Sequence, residues 1–148
     1  MKKKPNILFI LEDHQAYYGH GELGNGPKIH RPNYERVASN GVEFINSYTC
    51  CPLCGPARRT ILTGLYPHKH GEIKNESNEK YTHENYLQKL SEVGYHNFYF
   101  GKWHAGKGNA LDFGCEGFSV SRYGNPWQIW HVINFGKSLK RKIRNLFI

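Results

Sequence analysis

One short segment combines a thiol and a cation at a spacing that could bind and attack an anion. Cys54 is followed by Pro56 and Arg58, and Gly64 lies just beyond the segment. Proline near the first turn and glycine past the end are typical of a helix. Helix N-termini attract anions, and the fork of the Arg58 guanidinium suits a tetrahedral oxyanion. The segment therefore predicts an anion site with a candidate nucleophile, the alternative being a buried structural thiol.

Polar side chains also follow two predicted strands. The uninterrupted apolar run over 5–11 predicts a buried parallel strand that leads to Asp13. A second predicted strand over 95–100 leads to Lys102 and His104. Because ligands gather at the carboxyl ends of parallel strands, we expect these side chains to converge near the cysteine. A solvated turn is the alternative for the acidic group.

The elements that must position these residues alternate along the chain. Strand, helix, strand, helix, strand is a βαβ pattern, which predicts an α/β fold with a mostly parallel sheet flanked by helices. The apolar spacing, prolines and glycines predict a helix from Asn33 to Gly41, helices over 56–63 and 85–93, a strand over 42–49 and a polar loop over 66–81.

The composition limits the class of protein. The chain has 148 residues, of which 39% are hydrophobic, enough for one domain with a core. No apolar run approaches the roughly 20 residues of a membrane helix. The net charge of +8 is concentrated at the two ends, which predicts solubilising termini and no nucleic-acid surface. The apolar run after Lys4 is shorter than the roughly 7–15 residues of a signal peptide, so we expect a cytoplasmic protein.

Five blocks of the sequence resemble one enzyme family. Residues 54–64 are similar to the sulfatase signature, Cys-x-Pro-(Ser/Ala)-Arg followed after three residues by (Leu/Met)-Thr-Gly. The other blocks, which follow the order of that family, are residues 5–13, 31–44, 64–71 and 101–104. The resemblance implies the N-terminal part of an alkaline-phosphatase-like fold. It assigns residues 1–118 to the catalytic domain and leaves 119–148 as a basic aromatic tail.

The resemblance also implies a mechanism. A maturase would convert Cys54 to formylglycine, and an oxygen of the hydrated aldehyde would attack the sulfur of a sulfate ester. The second hydroxyl would let the intermediate release sulfate without attack by water on sulfur. Arg58 would hold the diol, Lys102 would bind sulfate oxygens, and His104 would hydrogen-bond the diol and help to move its proton. The expected function is that of a sulfuric ester hydrolase.

A divalent cation, typically calcium, is implied in the same way. Its expected ligands in this sequence are Asp13, His14 and the modified Cys54. Asp13 fits, because calcium prefers oxygen ligands, whereas the imidazole of His14 suits softer metals. Either the site tolerates His14, or Glu12 replaces it, or metal binding is altered.

The length departs from the family, because the sulfatases that this chain resembles usually run to several hundred residues. Their second pair of metal ligands, Asp-Asn, comes from the later part, and nothing after His104 offers a match. We therefore expect an N-terminal portion that is incomplete as an enzyme by itself. The alternatives are a phosphoesterase or phosphonate monoester hydrolase of the same superfamily, and a non-catalytic fragment that binds anions.

A zinc or redox site is a further alternative. Cys51 and Cys54 have C-x2-C spacing, but a zinc site usually needs a second ligand pair. His68 and His70 could supply one on paper, yet the sulfatase resemblance accounts for both without a metal. We interpret them as histidines that pack a loop.

Overall fold

The computed structural model describes residues 4–13, 29–75, 77 and 80–120. Contacts divide the chain into two units, Met1–Tyr48 and Thr49–Ile148. His14 and nearly all of the predicted tail over 119–148 lie outside the described residues. None of the helices in the described part has the length and apolar character that a membrane crossing requires.

The first unit contains helix α1, Pro32–Ala38. The predicted helix is therefore confirmed, but its N-cap is Arg31 and not Asn33. Proline explains the difference, because its fixed φ and missing N–H suit the first helical position. After the helix, the side chain of Asn40 donates a hydrogen bond to the carbonyl of Arg36 at 2.8 Å and satisfies a C-terminal acceptor.

The strands predicted over 5–11 and 42–49 are wrong for the described residues, which form no strand there. Their apolar side chains are exposed, with Leu8 at 84% and Phe44 at 80% of the maximum. A strand exists only through hydrogen bonds to a neighbouring strand, and an apolar run reports a tendency to be buried without supplying that neighbour.

The second unit is α/β, as the sequence predicts. Within the described residues, the sheet has two parallel strands, β1 (Phe98–Lys102) and β2 (Glu116–Val120), in which Phe98 lies opposite Glu116 and Lys102 lies opposite Val120. The predicted strand over 95–100 is confirmed with both ends shifted toward the C-terminus, whereas β2 was not predicted. The elements in chain order are α2 (Cys54–Thr63), α3 (Pro67–His70), α4 (Tyr86–Glu92), β1 (Phe98–Lys102), a short 3-10 helix (Ala110–Phe113) and β2 (Glu116–Val120).

Local signals fix one end of each of the two longer helices in the second unit. Asn85 caps α4 reciprocally with Gln88: the Gln88 N–H donates to Asn85 Oδ1 and the Asn85 N–H donates to Gln88 Oε1, both at 3.1 Å. Gly64 ends α2 in the left-handed region, at φ 70°, where its N–H donates to the carbonyl of Thr60. Both helices therefore form where the sequence predicts them.

The core lies directly after β1. Trp103 is fully buried, stacks on Phe113 at 5.3 Å between ring centroids, and meets the ring of Tyr99 edge-on at 5.5 Å. These aromatic contacts fix the chain on both sides of Trp103. The backbone at Lys102 and His104 is thereby positioned. Among the described residues, the same core cluster also contains Leu62, Leu87, Ala105, Ala110 and Cys115.

Candidate active site

Cys54 is the first residue of α2, where the sequence predicts it. The preceding residue, Leu53, is extended, with φ −120° and ψ 141°, and gives the helix no side-chain cap. The Cys54 side chain is half-buried, whereas Gly55 and Pro56 behind it are buried. The thiol therefore lies at the accessible mouth of a ten-residue helix.

The helix mouth offers fewer N–H groups to an anion than the sequence suggests. The Gly55 N–H donates to the side-chain oxygen of Asn75 at 2.9 Å. Pro56 has no N–H, so the first three positions leave only that of Cys54 for a ligand. Positive side chains must therefore supply most of the attraction for an anion.

Arg58 connects α2 to the end of β1. It lies one turn beyond Cys54, is 8% exposed, and donates from Nη1 to the carbonyl oxygen of Lys102 at 2.6 Å. The Tyr99 hydroxyl donates to the same carbonyl at 2.7 Å. Burial raises the pKa of Tyr99, and the positive charge of Arg58 opposes that rise, so Tyr99 stays a neutral donor at ordinary pH.

His104 lies against the first turn of the same helix. Its carbonyl oxygen would be 3.4 Å from a Cβ placed on Gly55, and its side chain is 7% exposed. Its φ of 43° is unusual for a residue other than glycine. Such backbone strain persists only where surrounding structure imposes it, and it is common at functional sites.

The structure thus brings four of the predicted site residues into one neighbourhood. Cys54 and Arg58 share α2, and Lys102 and His104 reach that helix from the end of β1. Asp13 is described within the first unit, in a segment without helix or strand.

A buried ion pair beside this site was not predicted from the sequence. Arg59 Nη1 and Glu72 Oε2 are 3.2 Å apart, and both side chains are 1% exposed. Arg59 also donates to the carbonyl of Lys80 at 2.8 Å and lies over the ring of Tyr81. The hydroxyl of Ser77 donates to Glu72 Oε2 at 2.6 Å. The pair attaches the loop after α3 to the helix that carries Cys54.

His70 makes a second attachment between the same loop and α2. Its Nδ1 accepts the Glu72 N–H at 3.1 Å, so Nε2 carries the proton and donates to Thr60 Oγ1 at 2.9 Å. Burial lowers the pKa of His70, and the nearby charge of Arg59 lowers it further. The neutral, buried ring agrees with the interpretation of His70 as a packing histidine, but it lies at the end of α3 and not in the polar loop predicted over 66–81.

Among the residues that the structure describes, no group of three His, Cys, Asp or Glu side chains could hold a metal ion. Asp13 provides the carboxylate oxygen that calcium prefers, and His14 would add a nitrogen donor that calcium does not favour. Asp13 alone thus offers calcium fewer than the roughly 6–8 oxygen ligands that the ion takes.

In the second unit, a cysteine at the mouth of a helix lies near the main chain of a lysine and a histidine at the end of a parallel strand. The sulfatase family profile matches residues 5–131, and the chain belongs to that family, whose fold is alkaline-phosphatase-like α/β. Members of the family generally use a formylglycine and a divalent metal.

Three relatives illustrate the similarity. An ulvan-active sulfatase of Formosa agariphila is 32% identical over 126 residues, covering 85% of this chain and 25% of that protein. An N-acetylglucosamine-6-O-sulfatase of Bacteroides thetaiotaomicron is 35% identical over 102 residues, covering 69% of this chain and 18% of that protein. An arylsulfatase of Clostridium perfringens is 36% identical over 102 residues, covering 68% of this chain and 21% of that protein. The chain spans about a quarter or less of the length of these relatives. No solved structure gives a significant match.

Proposed function

We propose that this chain is the cysteine-bearing part of a sulfuric ester hydrolase, with Cys54 as the residue that is converted to formylglycine. One observation carries the proposal: Arg58, one turn beyond Cys54, is bonded to the carbonyl of Lys102 at 2.6 Å. This bond brings the end of β1 to the helix mouth. Membership of the sulfatase family and the sulfatases among its relatives support a sulfate ester as the substrate.

The proposal assigns a role to each of these residues. The hydrated aldehyde at position 54 supplies an oxygen nucleophile and a second hydroxyl for the release of sulfate. Arg58 orients that group from the same helix, and the Lys102 ammonium binds sulfate oxygens from the end of β1. His104 holds a hydroxyl proton and helps to transfer it. Because few helix N–H groups face the ligand, these cations provide the main electrostatic stabilisation.

The cofactor and partners of the proposal follow the family. Calcium is the proposed metal, with Asp13 as a ligand and His14 as the departure from the usual oxygen donor. A formylglycine-generating maturase is the proposed partner, and the cytoplasm is the proposed compartment, where thiols remain reduced for conversion.

Co-expression with a maturase tests the role of Cys54. Peptide mass spectrometry and a hydroxylamine probe are expected to detect an aldehyde at position 54 and unchanged thiols at Cys50 and Cys51. C54A provides the blank for the probe. A thiol that persists at position 54, while the maturase converts a reference peptide in the same cells, contradicts the proposal.

Hydrolysis assays separate the remaining functions. The converted chain is given an aryl sulfate and an aryl phosphate, and faster hydrolysis of the sulfate supports the proposal. Faster hydrolysis of the phosphate favours the phosphoesterase alternative, because both anions are tetrahedral and differ mainly in charge. Sulfate binding without hydrolysis of either ester identifies this chain alone as a non-catalytic fragment, as expected of an N-terminal portion, and the aldehyde at position 54 then decides the role of Cys54.

A further inference from the structure

The first turn of the Cys54 helix is capped by a residue that lies twenty positions away from the residue it caps. The Gly55 N–H donates to Asn75 Oδ1 at 2.9 Å, whereas the preceding Leu53 forms no side-chain cap. We propose that Asn75 is a positioning residue, which fixes the turn that carries Cys54. The inference rests on the proposed function, because Cys54 is taken as the reacting residue.

The bond meets a physical need of the helix. Gly55 is buried, and a buried N–H without an acceptor is costly. Leucine at the N-cap position cannot accept a hydrogen bond through its side chain. The Asn75 side-chain oxygen replaces the missing cap from outside the local sequence, so the first turn depends on the loop that holds Asn75.

That loop is attached to the same helix one turn further along. Glu72 forms the buried ion pair with Arg59 at 3.2 Å. The Glu72 N–H also donates to His70, whose ring donates to Thr60. Arg59 and Thr60, two consecutive residues of α2, thus contact the segment that places Asn75 near the start of the helix. The segment that leads to Asn75 is thus held against α2 by the contacts of Glu72 and His70.

Asn75 is also close to the backbone that follows β1. A Cβ at Gly55 would lie 3.3 Å from Asn75 Oδ1, 3.0 Å from Glu72 Oε1 and 3.4 Å from the carbonyl oxygen of His104. The loop and the His104 backbone therefore enclose the same glycine. Movement of Asn75 would change the packing of both segments next to Cys54.

The neutral amide suits a site for an anion. Aspartate could accept the same Gly55 hydrogen bond and would favour the helix N-terminus. Its negative charge, however, would stand one residue from Cys54 and repel sulfate. Asn75→Asp therefore separates the two effects, because it keeps the cap and adds an unfavourable charge.

Amide hydrogen exchange at Gly55, measured by NMR on the full chain, tests the cap. Exchange is expected to be roughly tenfold faster in N75A, because one hydrogen bond is lost, and unchanged in N75D. The matched control is N97A: Asn97 donates to the carbonyl of Leu87 and to Ser91 Oγ, both at 2.7 Å, within the same unit. Its loss is expected to leave the Gly55 amide unchanged.

Inorganic sulfate provides the second readout, which a purely structural role would not move. Sulfate binding, followed by amide shifts of the first turn, is expected to be several-fold weaker in N75D than in the parent chain. Equal binding contradicts the charge argument. The cap is contradicted if Gly55 exchange is unchanged in N75A, or if it is accelerated equally in N97A. If N75A does not fold, the cap is contradicted by faster Gly55 exchange in N75D. If the parent chain does not bind sulfate, the proposed function fails while the exchange result still decides the role of Asn75.

Discussion

Arg58 Nη1 donates a hydrogen bond to the carbonyl oxygen of Lys102 at 2.6 Å, and the Tyr99 hydroxyl donates to the same oxygen at 2.7 Å. Both bonds use the main chain of Lys102, so neither requires a lysine side chain. Arg58, by contrast, contributes its guanidinium to the fold. The two basic residues near Cys54 therefore differ in these contacts: Arg58 takes part through its guanidinium, and Lys102 takes part through its main chain.

Lys102→Ala is expected to abolish sulfate binding with little effect on folding. The two bonds to the Lys102 carbonyl remain in this variant, so we expect a loss of unfolding free energy of no more than the roughly 1 kcal/mol at which point substitutions centre. Urea unfolding measures the stability, and the sulfate-dependent rise in melting temperature measures the binding.

Arg58→Met is the matched control for that variant. It keeps much of the side-chain volume but removes a charged donor from a buried carbonyl, so we expect a loss of about 1.5–3 kcal/mol. If K102A is destabilised as much as R58M, Lys102 is a structural residue and its assigned role is wrong.

The buried ion pair of Arg59 and Glu72 is expected to contribute strongly to the stability of the fold. Glu72→Gln leaves the Arg59 charge uncompensated where both side chains are 1% exposed, and breaking a buried pair in this way costs about 3–5 kcal/mol. Urea unfolding of the chain measures the loss.

Lys89 provides the comparison on the surface. It lies 2.8 Å from Glu84 and is 52% exposed, so Lys89→Gln should change stability only slightly, because exposed pairs are screened by solvent. A loss in K89Q that equals the loss in E72Q would show that burial of the Arg59–Glu72 pair is not what makes it important.

The helices were predictable because their signals are local. Gly64 ends α2 and Asn85 caps α4 within one turn of each helix, so short spacings in the sequence suffice to place both. The strands were less predictable, since each needs a distant partner. The run over 5–11 has the apolar pattern of a strand without forming one, whereas β2 was missed because its Glu116-Gly117 start has no such pattern.

The residues of the candidate site likewise divide into those with a local sequence signal and those without one. The signature spacing identified Cys54 and Arg58, and the structure places the end of β1 beside them. The adjacent Arg59 has the same residue type but a different role, in a buried ion pair with Glu72. Contacts between a helix and a loop thirteen to twenty positions away leave no periodic signal. For that reason neither the ion pair nor the cap from Asn75 could be predicted.

His70 makes stability depend on pH below neutrality. In the unfolded chain its ring takes up a proton near pH 6.5, whereas burial and Arg59 lower the pKa in the folded state. Unfolding therefore takes up a proton in acid. The contribution to stability is complete above about pH 6.5 and is lost as the pH falls through the lowered folded pKa. Urea midpoints between about pH 5 and pH 7.5 measure it.

Two glutamine variants isolate that effect. H70Q is expected to flatten the pH dependence of stability, because it removes the buried titrating ring while keeping a donor and an acceptor. H68Q changes an exposed histidine of the same short helix and is expected to retain the parent pH dependence. If H70Q retains it as well, the acid loss of stability arises elsewhere.

Gly55→Ala tests the crowding of the first turn around Cys54. Alanine gains up to about 1 kcal/mol over glycine from helix propensity. Its Cβ would nevertheless lie 3.0 Å from Glu72 Oε1 and 3.4 Å from the His104 carbonyl oxygen. Glu72 cannot swing away, because Arg59 holds its carboxylate in a buried pair, and a backbone carbonyl cannot rotate alone.

Overpacking of about 1–3 kcal/mol should therefore outweigh the propensity gain in G55A, so that the variant is less stable than the parent chain in urea unfolding. Gly41→Ala is the control, because the Cβ there would meet only the carbonyl oxygen of Val37, at 3.4 Å. We expect G41A to be as stable as the parent or slightly more stable. If G55A gains stability like G41A, then Glu72 and the His104 backbone yield to the methyl group. The inference that Gly55, the residue next to Cys54, is tightly enclosed would then be wrong.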